Sequence, residues 1–145
     1  MTRTRSLLVL CLFVVVLLTG VSTPAQAVGL GGRMLNIVNR IRVQHDLRPL
    51  IKNVDLSYDA RHHSWKMARQ RTLSHSTDLA SRVSSYGGTS WGENVAKTGT
   101  LTRARVLWMH SADHRHNILR RSFDHAGVGV VRSRGWLWVT FAFYG

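Results

Sequence analysis

The residues able to do chemistry in this chain are eight histidines and a single glutamate. The glutamate, Glu93, stands in Trp91-Gly92-Glu93-Asn94, between glycine and asparagine on an apolar segment. It reads either as a site carboxylate or as one that accepts backbone N–H bonds and ties a loop down. His110 and His114 are four apart, which on an unbroken helix sets two imidazoles on one face as metal ligands. Ser111 and Asp113 between them are both capping residues, however, so the helix is expected to break there. His63 falls on the apolar face of a helical segment and reads as a core histidine with its nitrogens satisfied. His45, His62 and His125 read as surface or packing residues.

The elements that must position these groups follow from periodicity. Met34, Ile37, Val38, Ile41 and His45 recur at helical spacing over 33–45, and Pro49 follows a polar turn. Asp55 opens a second helix running to about Arg71, with Leu56, Ala60, His63 and Met67 on one face. Thr77 or Asp78 caps a short third helix that stops at Gly87-Gly88. Residues 91–97 are extended; Thr102 starts a fourth helix carrying Val106, Leu107, Trp108 and Met109; Asp113–Arg120 is a short helical turn. His125–Arg132 and Trp136–Tyr144 follow the period of strands, joined by the turn Arg132–Gly135, which predicts an antiparallel hairpin. Both faces of the last strand are apolar, so layers are expected on both sides. The reading is α+β: an α-β-α sandwich, a small antiparallel sheet flanked by helices.

Upstream of these elements the chain reads as a leader. Residues 1–5 carry two arginines and no acid, residues 7–18 are wholly apolar, and Ala25-Gln26-Ala27 has the small-x-small form of a cleavage site. Twelve such residues fall short of the roughly 20 a membrane-spanning helix needs. The only cysteine, Cys11, lies early in that run rather than at its end, so lipid attachment there is not expected. A signal peptide over 1–27, a short linker over 28–33 and one disulfide-free domain over 34–145 are therefore expected, with export as the destination. The net charge of +13 falls to +11 once Arg3 and Arg5 leave. Lys52, Lys66 and Lys97 are the only lysines, and no run of five basic residues occurs. Anionic head groups and wall polymers are thus the expected electrostatic partners, with solvated faces as the alternative, and nucleic acid is not expected.

Five ordered motifs carry a resemblance over roughly residues 34–145. Leu56, Ala60, His63, Met67 and Ala68 lead into Leu73-Ser74-His75, and Gly92-Glu93-Asn94-Val95-Ala96 follows. Trp108-Met109-x-Ser111-x-x-His114-Arg115-x-Asn117-Ile118-Leu119 comes next, then Gly127-Val128-Gly129-Val130 and the Trp/Phe-rich final strand. Together they resemble the bacterial secreted, single-domain members of the CAP (SCP-like) superfamily, which includes cysteine-rich secretory proteins, antigen 5 and pathogenesis-related 1 proteins.

That resemblance implies a central cleft lined by two histidines and two acids. His75, Glu93 and His114 fall on three of these positions, while Ser111 stands where the fourth would be acidic. Three such ligands with water as the fourth form an acceptable Zn²⁺ site, and metal-bound water would allow hydrolysis. Glu93 could not then serve easily as both ligand and general base, and Asp113 is the only nearby substitute. A Ser111-His114-Glu93 arrangement for nucleophilic catalysis is also conceivable, although no elbow glycines flank Ser111. Asn94 and Asn117 read as residues that satisfy backbone in loops. Trp91 and Trp108 read as core rather than as ligand platforms, though either could line the cleft.

The expected function is a secreted, non-catalytic binding or effector module. Its cleft would engage a lipid, peptide or wall component as a monomer, with no cofactor required and Zn²⁺ or another divalent cation as the metal that would fit. The alternatives are a metal-dependent hydrolase using His75 and His114, and a cationic envelope-binding protein.

Overall fold

The computed structural model describes residues 29–145, so the segment read as a leader lies outside the described residues. The chain runs α1 (Leu30–Gln44), β1 (Ile51–Lys52), α2 (Val54–Gln70), α3 (Leu79–Ser85) and β2 (Trp91–Thr98). It continues through α4 (Leu101–Met109), α5 (Ala112–Leu119), β3 (His125–Ser133) and β4 (Trp136–Tyr144).

The hairpin of β3 and β4 is the spine. Its strands pair antiparallel from His125 with Tyr144 to Ser133 with Trp136. The two residues between them, Arg134 and Gly135, have φ of 50° and 81°, the left-handed pair that matches the twist of a two-residue hairpin. Leu137, Val139, Phe141 and Phe143 point to one side and pack with Met34, Val38, Leu101, Trp108 and Ile118 from α1, α4 and α5. Trp138 packs instead with Met67 and Ala68 of α2, and Ala142 with Leu56. Helices therefore cover both faces, as the two apolar faces of β4 require.

Glycine sets how closely α2 lies on the sheet. A Cβ at Gly127 would meet the backbone of Leu56, and one at Gly129 the backbone of Ala60 and Arg61. Asn53 caps α2, its side chain accepting from Leu56 N at 2.9 Å. On the opposite side Arg42 is buried and donates to four carbonyls: Arg48, Ile118, Arg120 and Phe123. It fastens the connection between α5 and β3 onto α1. Burial lowers its pKa, and Asp124 offsets that in part.

The structure departs from expectation in four places. The sheet is mixed, in the order β1-β3-β4-β2, because β1 adds to β3 in parallel. With two residues, both exposed, β1 has no periodicity to read. Helix α1 begins at Leu30, inside the stretch expected to be a linker; Gly31 lies there against the Val128 carbonyl, 2.8 Å from where its Cβ would be. The fourth helix is capped by Thr100, which accepts from Arg103 N, rather than starting at Thr102. Finally, His63 is not core: Ser64 is the buried residue of that face, donating to Thr140 Oγ1 at 2.9 Å and Gly129 O at 3.1 Å.

Candidate functional site

Strand β2 pairs only with β4, opposing Glu93 to Ala142 and Asn94 to Phe141. Cross-strand partners share a face, so Glu93 leaves the strand toward α2 and Asn94 toward α5. Both are buried.

Each buried polar group is satisfied by a different neighbour. Oε1 of Glu93 accepts from Ser76 N at 2.9 Å and from His75 Nδ1 at 2.7 Å. Oε2 accepts from the Ser76 hydroxyl at 2.5 Å. The lone glutamate thus ties the loop between α2 and α3 to the sheet edge, the second of its two sequence readings. On the other face Asn94 Nδ2 donates to His114 O at 3.0 Å. Asn117 Nδ2 donates to Asn94 Oδ1 at 2.9 Å and to Glu93 O at 3.3 Å. Trp108 Nε1 donates to Val95 O at 3.1 Å. Gly92 is where it is because a Cβ would stand 2.6 Å from Asn117 Oδ1. The Trp-Gly-Glu-Asn motif is therefore a junction that bolts α4, α5 and the 75–76 loop to one strand.

The histidines expected at the site differ in character. His75 is exposed, its side chain 62 % accessible against 5 % for Glu93. Because Nδ1 donates to the carboxylate, Nε2 is the nitrogen left facing outward. His114 is half-buried, and its pKa is held below the ordinary 6.5 by desolvation first and by His75 second, with Asp113 opposing. His110 sits at the break between α4 and α5 and turns its Nδ1 to Val106 O, away from His114's role.

Ser111 occupies the cap position of α5 but makes no side-chain cap bond, and no hydrogen bond joins it to His114 or His114 to Glu93. Among the described residues no three His, Cys, Asp or Glu side chains group so as to hold a metal ion. Both Glu93 oxygens accept hydrogen bonds from the 75–76 loop. Trp108 is core as expected, but Trp91 is 49 % exposed because it opens the edge strand.

A concavity of about 140 Å³ lies beside Glu93, lined among others by His63, Lys66, Ser76, Asp78 and Arg82. His63 Nε2 donates to Ser74 O at 2.8 Å, so this ring helps to shape the 74–76 loop. Arg82 is anchored by Asp59 and Asp78, whose carboxyl it holds below the usual range. Sequence reading missed Ser76 and Lys66; only the adjacency of Ser76 to His75 and the place of Lys66 on α2 signalled them.

Residues 35–143 match the sequence profile of the cysteine-rich secretory protein family, CAP. The Bacillus subtilis protein YkwD is 33 % identical over 128 residues, which cover 83 % of this chain and 49 % of that protein. The chain thus spans about half the length of this curated relative. An extracellular protein containing a SCP domain from Bacillus anthracis superposes with a TM-score of 0.67 at 28 % identity, over 77 % of this chain and 39 % of that one. An outer surface protein from Borrelia burgdorferi gives 0.69 at 18 % identity, over 77 % and 89 %, a likeness of fold alone.

Proposed function

The chain belongs to the cysteine-rich secretory protein (CAP) family, and from that premise we propose that it is an exported binding module without turnover. The observation that carries this reading is Glu93: buried, it accepts from His75 Nδ1, Ser76 N and the Ser76 hydroxyl, the bonding of a carboxylate that fastens a loop. The apolar run and small-x-small site at 1–27 support export, as do the extracellular and outer-surface descriptions of the two structural neighbours.

The concavity beside Glu93 is small against the roughly 300–1,000 Å³ that drug-sized ligands fill. Its volume of about 140 Å³ suits one polar substituent rather than an acyl chain or sterol body. Lys66 supplies a charged donor among the lining residues, so a carboxylate or amide of a peptide or wall fragment is the chemistry it fits.

The test is calorimetric titration with soluble peptidoglycan fragments, with mass spectrometry of the same mixtures. Binding that weakens about tenfold in Lys66→Ala, with no new product, supports the reading. Cleavage that disappears in His75→Ala and His114→Ala would overturn it in favour of a hydrolase. Failure of every fragment to bind removes the cleft as the ligand site.

A further inference from the structure

The basic residues form no run in the sequence, yet folding gathers them. Arg69-Gln70-Arg71 ends α2, and Arg132-Ser133-Arg134 leads into the hairpin turn. These four arginines line one groove of about 360 Å³, together with Trp65. None of the chain's seven acids lines it, and none of the four arginines pairs with a carboxylate among the described residues.

Two of these arginines stand where the backbone disfavours them. Arg71 caps α2 at φ 56°, and Arg134 opens the two-residue turn at φ 50°. Glycine or asparagine holds both positions at lower cost. A side chain kept on a strained backbone with no acidic partner inside the molecule points outward, to an anionic partner.

The indoles say which kind. Trp65 is 46 % exposed, with the Arg69 guanidinium 4.6 Å from its ring centroid. Trp136 follows the turn directly, opposite Ser133, is 47 % exposed and carries Lys97 at 5.3 Å. A soluble polyphosphate, which has no apolar part, would use the arginines and leave the rings idle. A membrane surface uses both, since indoles settle at head-group depth while guanidinium groups meet phosphate. We propose that this end of the domain is a peripheral docking surface for anionic phospholipid membranes. No described helix is long and apolar enough to cross a membrane. The proposal stands apart from the cleft beside Glu93 and does not depend on it.

The test uses the full chain with vesicles of phosphatidylcholine alone and of phosphatidylcholine mixed with phosphatidylglycerol. The apolar run at 7–18 would favour both vesicles alike, so the quantity read is the excess partition onto the anionic ones. That excess is expected at low salt and should collapse at high salt. Arg71→Gly with Arg134→Gly should reduce it roughly 30-fold, about fivefold for each arginine, while the melting temperature holds or rises because glycine suits both dihedrals. Trp65→Ser should lower the total partition onto both vesicles yet leave binding of soluble polyphosphate unchanged. An excess that survives the double glycine variant overturns the proposal. So does a total partition indifferent to Trp65→Ser, with polyphosphate binding lost in the double variant, because the partner is then a soluble polyanion.

Discussion

His75 and Glu93 form a pair in which an exposed imidazole is held by a buried acid, Nδ1 to Oε1 at 2.7 Å. The same carboxylate takes both donors of Ser76. Three bonds onto one buried anion position the loop that carries His75.

Ser76→Ala removes the donor to Oε2 and strands one buried oxygen. The expected cost is about 1–3 kcal/mol. Thermal unfolding followed by circular dichroism should show a melting temperature lower by several degrees; an unchanged value would mean that water replaces the hydroxyl freely.

His114 makes stability depend on pH. Its folded pKa lies below 6.5, so the unfolded chain binds the proton more readily. The contribution is therefore complete above 6.5 and is lost as pH falls below that value toward the folded pKa. Urea midpoints measured between pH 8 and 5 should decline over this window, and His114→Gln should flatten that part of the decline. An identical profile in the variant would assign the titration elsewhere.

Gly129→Ala should prevent α2 from closing on β3, since the new methyl group would meet the backbone of Ala60 and Arg61. A loss above about 3 kcal/mol is expected in urea unfolding. Gly99→Ala is the control, because nothing lies within 4 Å of its added Cβ. It should stay within about 0.5 kcal/mol of the parent.

Zinc titration by calorimetry should give weak binding that differs less than about twofold between the parent chain and His75→Ala, because two imidazoles lack a third ligand. Tight binding in the parent, lost in the variant, would show that Glu93 releases His75 to a metal.

How much of this could be read in advance depends on how local each signal is. Helices α1 and α2 and the final hairpin follow from periodicity within single segments, so they stood out. The break between His110 and Asp113 was likewise legible from two capping residues. Burial of Trp108 but not Trp91 was not, because it depends on which helix covers each end of β2. Ser76 reaches Glu93 across 17 positions, and only tertiary folding brings it there. His63 looked like core because it shares a helix face with Leu56 and Ala60, yet Ser64 takes the buried place and pairs with Thr140. The Arg-x-Arg pairs at 69–71 and 132–134 carry no local mark of being neighbours.

The measurement that bears most directly on Glu93 as a fastener is thermal unfolding of Glu93→Gln. Glutamine keeps the shape but loses the charge that accepts from His75 and Ser76. Charged hydrogen bonds of this kind contribute about 1.5–3 kcal/mol each, so the melting temperature should drop by on the order of 10 °C. A melting temperature unchanged within error, together with loss of fragment binding, would contradict the account and make Glu93 a residue of the site itself.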